Sequence, residues 1–575
     1  MTAVSPTKHS LNEHHMKITR RDFLQTSCSA VALAGGGFLA APKSLANHTI
    51  PAVGYPLVLP PEFTGGVLEA KAVTKEIWPG FPTTVLVLNG SLPGPTIRVK
   101  KGDHFKARIQ NSLGEPLVLH WHGIPAPSKM DGNPRDAVSA GGFYDVEFPL
   151  NQRAGTYWYH AHTDTLTGKQ VYQGLAGFFI VEDPAEDALG LPKGEFDVPL
   201  LIQDRVSNAG HTLAYSPMMD DMVLGYLGDA TTVNGVPNAS LSVTRSLYRF
   251  RLLNGSNARV FRIALGDNAP FKLIANDAGL LAVPIEVTSL YLAPGNRAEI
   301  LVDFASFPHG STVELKSLAF TGDMTMGSTQ GTARTLMRFV GQHIGNGGTV
   351  PSTLVPFAPH DLAMAKRTRQ FMITMPGGGH GGGHGGGMSA DLINGLAYEM
   401  NRTDFTVPFG ELEIWEFQNM AEHMHPMHPH GALFQVVSRS TATTLPPEDT
   451  GWKDTILVRP GETVRTLVKF DAYEGAFVLH CHNLEHEDGG MMLNFDVSPS
   501  IPPIEGPRLS VRHEAQEVVV TAPHDATGYR LETAPHLGGE AMWSPVTATP
   551  THTEAGMEFR IPRDATIQFF RLLKP

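Results

Sequence analysis

The sequence predicts an all-β fold: three antiparallel β-sandwich domains followed by a small C-terminal β module. Composition is the first reason, because the 575 residues include 59 glycines and 44 prolines, which favour many turns between short strands. The second reason is a unit that occurs three times, and the third is the lack of helical heptad patterns. A chain of this length exceeds one ordinary hydrophobic core, so several domains are expected.

Each copy of the repeated unit has an Asn-Gly turn, a short strand, a second turn and an alternating strand that ends in Asn. The turns are Asn89-Gly90, Asn234-Gly235 and Asn394-Gly395, and the final residues are Asn111, Asn254 and Asn419. Alternation of apolar and polar residues indicates strands with one buried and one wet face. We therefore expect β-sandwich domains over residues 50–185, 195–345 and 390–500, a connector over 346–389 and the small module over 506–575.

The charge and cysteine content exclude several classes of protein. A net charge of −12 argues against a nucleic-acid binder, which would show a basic face. Two cysteines are too few for a disulfide scaffold or for a multi-cysteine zinc or iron–sulfur site. The 26 histidines and 21 methionines, in contrast, are residue types that bind copper.

The N-terminal residues 1–46 are predicted to be a removable twin-arginine export signal. Arg20-Arg21 precedes an uncharged Ala/Gly-rich stretch, and Ser44-Leu45-Ala46 offers a cleavage site. The apolar run is shorter than the roughly 20 residues that span a bilayer, although a weak transmembrane helix is the alternative. We expect a periplasmic or extracellular protein that meets the twin-arginine translocase during export, with Met1 and Met16 both open as start residues. Cleavage would remove Cys28 and leave Cys481 as the single thiol.

Four histidine clusters carry the predicted chemistry. A single His-x-His pair more often consists of ordinary histidines that bind no metal. Two clusters in the first repeat and two in the third together favour metal ligands. The middle repeat has Ala258-Arg259-Val260-Phe261 at the corresponding place and is expected to bind no metal. The clusters are His120-Trp121-His122, His160-Ala161-His162, His425-Pro426-Met427-His428-Pro429-His430 and His480-Cys481-His482, the last followed by His486 and Met491.

The last cluster predicts two metal sites that share one strand. Neighbouring residues of a strand point to opposite faces, so Cys481 can face one site while His480 and His482 face another. Cys481 with His425 and His486, and Met491 as a long axial ligand, is the ligand set of a blue copper site. Zinc would accept the cysteine and histidines, but it has no redox use and needs no thioether.

The eight remaining histidines predict a second site between the first and third domains. They are too many for one ion and suit a cluster of three coppers, because copper prefers imidazole ligands. A single copper joined to such a cluster would collect electrons one at a time and deliver them together.

These clusters, their order and their spacings resemble the multicopper oxidase family, specifically bacterial three-domain laccases and cuprous oxidases, over roughly residues 50–500. The resemblance implies cupredoxin-like Greek-key domains and four copper ions. It implies a type 1 copper on His425, Cys481, His486 and Met491, and a type 2 copper on His120 and His428. It implies a type 3 pair on His122, His160, His162, His430, His480 and His482. The implied reaction is one-electron oxidation of a substrate, through Cys481, coupled to four-electron reduction of dioxygen to water.

The same resemblance implies proton-relaying carboxylates at Asp131 and Glu487. A carboxylate can pass protons when its pKa lies near the working pH. For Asp131 the alternative is a turn residue before Gly132, whereas Glu487 adjoins the predicted ligand His486.

The predicted electron donor is Cu(I) or a small phenolic or aromatic molecule. A Gly-rich run with His380 and His384 stands where similar cuprous oxidases carry a methionine-rich insert, and a plain flexible linker is the alternative. Glu422, His423 and Met424 precede His425, where those oxidases dock the substrate ion, although the spacing differs.

Three other functions fit the same sequence less well. A copper-sequestering protein that confers copper tolerance without turnover would not need eight further histidines. A copper-free structural member of the fold would have lost ligands, and a two-domain nitrite reductase would lack the third repeat. Neither nucleic acid nor a stable membrane anchor is expected as a partner.

Overall fold

The computed structural model describes residues 54–207, 210–322, 328–341, 344–374, 392–499, 509–514, 516–526, 528–534, 543–553, 556–562 and 569–573. The predicted signal over residues 1–46, and His380 and His384, lie outside these residues. The all-β prediction is confirmed, because strands dominate and pair into sheets that pack as sandwiches. No helix among the described residues is long and apolar enough to cross a bilayer.

The first sandwich packs two four-stranded sheets around a core that includes Trp121, Phe148 and Phe179. The strand His104–Asn111 buries alternate side chains because one face of its sheet is wet, whereas Gly155–Ala161 in the other sheet is buried throughout. In sheet order, the first sheet has Phe81–Leu88, Gly66–Trp78, His104–Asn111 and Phe143–Pro149, and the second has Gly94–Lys100, Ala176–Glu182, Gly155–Ala161 and Leu119–His122.

The middle sandwich has the largest continuous core, with Phe250, Ile263 and Leu315 fully buried. One sheet contains Tyr55–Pro56, Ala239–Val243, Arg334–Gly341, Thr312–Ser317, Phe261–Leu265 and Leu290–Leu292. The other contains Val236–Pro237, Ala230–Val233, Asp197–Arg205, Leu247–Asn254, Arg297–Asp303, Phe271–Asn276 and Gly279–Val287.

The third sandwich packs two five-stranded sheets around Trp415, Phe434 and Phe495, and the same core holds Cys481. One sheet contains Leu392–Ile393, Arg367–Thr374, Leu412–Asn419, Thr463–Lys469 and Phe434–Arg439. The other contains Phe405–Pro408, Met492–Ser498, Gly475–Cys481, His425–Pro429 and Ile456–Val458.

Two strands belong to a different domain from the one that the sequence predicted for them. Arg367–Thr374, inside the predicted connector 346–389, pairs in parallel with Leu412–Asn419 and so belongs to the third sandwich. Tyr55–Pro56, inside the predicted first domain, pairs with Ala239–Ser240 of the middle sandwich. Both differences have one cause, since strand partners are chosen by long-range pairing that local composition does not reveal.

The C-terminal residues form the small β module expected over 506–575. Val518, Val520 and Leu531 are buried in its core. Its strands are Ser510–His513, Glu517–Ala522, Gly556–Pro562 and Thr551–Thr553 in one sheet, and Ser544–Pro545, Arg530–Ala534 and Phe569–Leu573 in the other.

Helices are few and short among the described residues. Three are α-helices, Thr167–Gln173, Met219–Leu224 and Leu484–Asp488. The 3₁₀ segments are Ser128–Met130, Pro134–Asp136, Pro184–Leu189, Gly194–Phe196, Phe304–Ser306, Leu362–Met364, Pro447–Asp449 and His524–Ala526.

The repeated unit forms the same local structure in all three sandwiches. Both residues of every Asn-Gly turn have positive φ, which is the backbone of a type I′ turn and explains why Asn and Gly stand there. The Asn at the end of the alternating strand accepts the N–H of the residue two further on, and its Nδ2 donates to at least two backbone carbonyls. This holds for Asn111, Asn254 and Asn419.

Candidate metal centre

Four short segments of the first and third sandwiches bring eight histidines together. In the first sandwich, Leu119–His122 pairs with Gly155–Ala161 so that His120 lies opposite His160. In the third, His425–Pro429 pairs with Gly475–Cys481 so that His428 lies opposite His480. In each of the four segments, the second histidine of the His-x-His pair lies at the end of the strand or directly after it. All eight histidines are at most 1% exposed.

Strand alternation separates these histidines from the hydrophobic cores. The residues inside three of the His-x-His pairs, Trp121, Ala161 and Cys481, are buried in the cores of their own sandwiches. The histidines on either side therefore point out of the sandwich and toward the seam between the two domains.

The eight histidines fall into groups whose ligand atoms lie within 4.8 Å of one another. The closest nitrogen pairs across the seam are His120 Nε2 to His428 Nε2 and His162 Nε2 to His480 Nε2, both at 3.3 Å. Within the third sandwich, His430 Nε2 is 3.2 Å from His480 Nε2. The groups are His120, His122 and His428; His122, His160 and His482; and His162, His430 and His480.

Backbone carbonyls hold several of these rings by the nitrogen that faces away from the seam. His120 donates from Nδ1 to Asp131 O at 2.7 Å, and His428 donates from Nδ1 to Asp454 O at 2.7 Å. His160 does the same to Ala161 O at 2.9 Å. Such bonds fix the tautomer, so that Nε2 carries the free lone pair that a metal ion needs.

Burial keeps the rings neutral, which is the form that binds metal. It lowers the pKa of His160 to about 3 and that of His162 to about 4, with neighbouring histidines adding to the shift at His160. The pKa values of His120, His122, His428, His430 and His482 are lowered well below the usual value by the same burial. At neutral pH these rings are therefore uncharged, and each keeps one nitrogen without a proton.

The two predicted carboxylates both contact the histidine cluster. Asp131 accepts a hydrogen bond from His430 Nδ1 at Oδ2, 2.7 Å away, and Glu487 Oε2 lies 3.0 Å from His480 Nδ1. Glu487 Oε1 is also 3.5 Å from His162 Nε2. Asp131 therefore lies beside two histidines of the cluster, and it is also the turn residue that precedes Gly132.

The environments of these carboxylates shift their pKa values in opposite directions. Burial, with Asp136 nearby, raises the pKa of Asp131 well above its usual value. Burial also opposes ionisation of Glu487, but His162 and His480 outweigh it and lower the pKa of Glu487.

Sequence reasoning missed Asp454 and Arg297. His122 donates from Nε2 to Asp454 Oδ1 at 3.0 Å, and Arg297 of the middle sandwich donates two hydrogen bonds to the same carboxylate. Arg297 Nε also donates to Thr156 O of the first sandwich at 2.9 Å. A lone Asp and a lone Arg 157 positions apart carry no local pattern, so no sequence signal pointed to them.

The second predicted site lies inside the third sandwich, at Cys481. Its Sγ is 3.5 Å from His425 Nδ1 and 3.7 Å from His486 Nδ1, and the two nitrogens are 3.3 Å apart. Three atoms at these separations are about 2 Å from their common centre, which is close to a metal–imidazole bond length. The donor set therefore fits copper, and Asn483 also donates its N–H to the sulfur at 3.4 Å.

Met491 is fully buried in the same core as Cys481. The N–H of Cys481 donates to Met491 O at 3.1 Å, and the N–H of Met491 donates to His486 O at 2.8 Å. These bonds place Met491 beside the cysteine–histidine group through the backbone.

The residues before His425 divide between surface and interior. Glu422 is exposed, whereas His423 and Met424 are 3% and 5% exposed. Met424 packs with Val260 and Leu457 instead of facing solvent. The three do not form one exposed docking site, because the chain turns inward immediately after Glu422.

In the middle sandwich, Arg259 occupies the place of the histidines. It is fully buried and donates to Asp204 Oδ2 at 2.7 Å and to Gly228 O at 2.8 Å. Among the described residues, no group of metal-ligating side chains includes a residue of this sandwich.

Comparisons with known proteins agree with this architecture. Three family models described as multicopper oxidase match residues 70–186, 200–311 and 367–500. The chain is 33% identical over 430 residues to a multicopper oxidase of Staphylococcus haemolyticus (strain JCSC1435), covering 74% of this chain and 86% of the relative.

Two further proteins are similar over most of their length. The chain is 33% identical over 452 residues to a bilirubin oxidase of Albifimbria verrucaria, covering 75% of this chain and 76% of that protein. The crystal structure of the McoA multicopper oxidase of Aquifex aeolicus superposes with a TM-score of 0.70 and 36% identity, covering 77% of this chain and 99% of that one.

Proposed function

The chain belongs to the multicopper oxidase family, and from that premise we propose that it oxidises Cu(I) or a small phenolic or aromatic donor at Cys481. It is a copper-dependent oxidoreductase that couples substrate oxidation to the reduction of dioxygen. The observation that carries the proposal is the convergence of a cysteine–histidine group and an eight-histidine group on one short strand.

The proposed ligands follow the groups that the structure brings together. His425, Cys481, His486 and Met491 hold a type 1 copper, and His120 and His428 hold a type 2 copper. The type 3 pair is held by His122, His160 and His482 on one side and by His162, His430 and His480 on the other. Four copper ions bound there would supply one-electron oxidation at the first site and four-electron reduction of dioxygen at the cluster.

The protein's own residues hold the two sites at a fixed separation. Cys481 is bonded through the backbone to His480 and His482, and His480 Nδ1 lies 3.0 Å from Cys481 O. The short covalent path and this hydrogen bond connect the sulfur to the cluster. Their rigidity comes from full burial of all three residues.

Asp131 and Glu487 are proposed to hold and move protons at the cluster. Each carboxylate lies within hydrogen-bond reach of a ring nitrogen of a cluster histidine, at His430 and at His480. Reduction of one dioxygen consumes four protons, and a buried carboxylate beside the site can pass them inward from water.

Copper content, visible absorption and oxygen uptake test the proposed function together. We expect about four coppers per chain, a blue absorption band and oxygen uptake with Cu(I) or a phenol. Bound copper without oxygen uptake from either donor would favour the sequestration alternative and contradict the proposed enzyme.

Export is proposed on the Arg20-Arg21 pattern, the Ala/Gly-rich stretch that follows it and the Ser44-Leu45-Ala46 cleavage site. Replacing both arginines with lysine should leave the protein in the cytoplasm of a bacterium that exports the wild type. Unchanged periplasmic recovery of this variant would contradict the twin-arginine proposal.

A further inference from the structure

We propose that a cleft at the seam of the first and third sandwiches binds a small aromatic carboxylate. The residues that define this seam cleft are Arg153, His360, Gly431, Trp452, Lys469 and Tyr473. Its volume is about 650 Å³, which lies within the roughly 300–1,000 Å³ of small-molecule sites. The cleft is separate from the Cys481 site, and binding there does not depend on the proposed oxidase function.

One part of the seam cleft is aromatic. Trp452 and His360 meet edge to face with their ring centroids 5.1 Å apart, and Tyr473 lines the same cleft. All three side chains are half-buried, so part of each ring remains open to an occupant. Burial and the Lys469 charge lower the pKa of His360, so its ring is neutral at neutral pH. These rings can therefore pack against a planar aromatic ligand.

The charges that line the seam cleft leave one positive charge over. Two cations, Arg153 and Lys469, and one carboxylate, Asp471, lie along it. Lys469 Nζ is 3.0 Å from Asp471 Oδ2, but both side chains are partly exposed, and an ion pair of this kind contributes little to stability. The remaining charge belongs to Arg153.

Arg153 is a cation without a matching anion. Its Nε donates to Ala278 O at 3.2 Å and its Nη2 donates to Leu280 O at 3.1 Å, so neutral carbonyls hold the guanidinium in place. No carboxylate of the described residues forms an ion pair with it. Beside it in the chain, Gln152 Nε2 is shielded from solvent and donates to no described acceptor. A bound carboxylate would supply the anion that the guanidinium lacks.

A second large cavity, between the first and middle sandwiches, lacks this unmatched charge. Its volume is about 610 Å³, and three arginines line it. Arg98, Arg249 and Arg251 each pair with a carboxylate of the described residues. The combination of exposed rings and an unpaired guanidinium therefore distinguishes the seam cleft.

The seam cleft adjoins both loops that hold the histidine cluster. Gly431 follows His430 directly in the chain. Trp452 stands two residues before Asp454, whose backbone O accepts the hydrogen bond of His428 Nδ1. Trp452 also packs against the core of the first sandwich. An occupant therefore contacts both sandwiches that supply the cluster and stabilises their association, because it binds only when they are assembled.

The test is a calorimetric titration of the holoenzyme with benzoate, which has no phenolic hydroxyl to be oxidised. Two matched ligands separate the two interactions, because benzamide lacks the charge and cyclohexanecarboxylate lacks the aromatic ring. We expect one benzoate to bind per chain and both analogues to have a Kd about tenfold higher or more. A wild type that does not bind benzoate, or binds all three ligands equally, would overturn the proposal.

Variants of the lining residues assign the bound benzoate to the seam cleft. Arg153→Gln and Trp452→Leu should each raise the Kd about tenfold or more, whereas Arg153→Lys keeps the charge and should stay within about threefold of the wild type. Unchanged affinity in both Arg153→Gln and Trp452→Leu would place benzoate elsewhere, bound copper included, and contradict the proposal.

A milder variant tests the charge without loss of packing, because Arg153→Gln also removes two hydrogen bonds to the middle sandwich. Lys469→Gln should raise the Kd for benzoate about threefold. The matched control is Lys272→Gln, since Lys272 is 36% exposed and pairs with Glu286, much as Lys469 is 35% exposed and pairs with Asp471. Equal Kd values in the two lysine variants would count against the seam cleft. Benzoate binding is independent of oxygen uptake, so failure of the oxidase function would leave this result intact.

Discussion

At the scale of single residues, the histidine cluster depends on acceptors that hold several of its rings by the outer nitrogen. Backbone oxygens of Asp131, Ala161 and Asp454 take this role, and side chains of Asp131 and Glu487 extend it to His430 and His480. These contacts determine which nitrogen faces the metal, so their loss should alter reactivity before it alters the fold.

Glu487→Gln tests the proton-relay proposal. The amide keeps the size of the side chain but cannot exchange a proton at neutral pH, so steady-state turnover should fall by about a hundredfold. The blue absorption should persist, because Cys481, His425 and His486 are untouched. Turnover equal to the wild type, measured by oxygen uptake, would remove Glu487 from the mechanism.

Glu186 provides a pH test away from the metal site. Burial, with the nearby Glu299 charge, raises the pKa of Glu186 from 4.5 to about 7. The folded state therefore holds this proton more tightly than the unfolded state. The protonated carboxyl contributes fully to the free energy of unfolding below about pH 4.5, and that contribution is lost as pH rises through 7. Glu186→Gln should be more stable than the wild type at pH 8 and similar to it at pH 4.5 in urea unfolding.

The exposed neighbour Asp187 supplies the control for this comparison. Asp187→Asn should leave the difference in stability between the two pH values as in the wild type. If Glu186→Gln has the same free energy of unfolding as the wild type at pH 8, ionisation of this carboxyl does not destabilise the folded state.

At the scale of elements, the repeated strand-end Asn links the fold to the site. In each sandwich it closes a turn, and its amide donates to one backbone carbonyl of the following loop and to at least one of a more distant segment. In the third sandwich, that loop is the one that leads to His425. The same structural device therefore stabilises a metal-free domain and positions a metal ligand in another.

Asn419→Ala should separate these two effects. The variant loses two buried hydrogen bonds, to His423 O and Val458 O, at a cost of about 1–3 kcal/mol in the free energy of unfolding. We also expect the blue absorption to weaken or shift, because the loop before His425 loses its anchor.

Asn254→Ala is the matched variant in the middle sandwich. It should lower stability by a similar amount, about 1–3 kcal/mol, and leave the visible spectrum unchanged. A spectrum of Asn419→Ala identical to that of the wild type would contradict the positioning role of Asn419.

At the scale of the whole molecule, the middle sandwich supports a site to which it contributes no metal ligand among the described residues. Arg297 reaches Thr156 of the first sandwich and Asp454 of the third, and Asp454 in turn holds His122. Lys453 and Asp277 form a second buried pair at the same place, 2.8 Å apart. The three domains therefore meet in one charged, fully buried contact.

Arg297→Met should weaken the cluster selectively. It leaves the Asp454 carboxylate buried without its cation, which costs about 3–5 kcal/mol. Copper bound by the cluster should fall, measured as metal per chain, while the blue band of the Cys481 site remains. As a comparison, Arg108→Ala breaks an exposed pair with Asp145 and should change stability by less than about 1 kcal/mol. Wild-type copper content in Arg297→Met would contradict this role.

The sequence alone determined the β-sandwich class and the candidate ligands. Alternation along a strand depends only on neighbouring residues. The His-x-His pairs, including His480-Cys481-His482, therefore predict which side chains share a face. The turns at the Asn-Gly pairs could also be predicted from sequence, because the positive φ of two successive residues in a type I′ turn selects those residue types.

Only the tertiary structure decided how these parts combine. It placed Arg367–Thr374 in the third sandwich, turned Met424 inward, set Asp454 and Arg297 behind His122, and laid the helix with Val223 over His486. The physical reason is common to all four: each depends on pairing or burial between residues far apart in the chain, which no local pattern encodes.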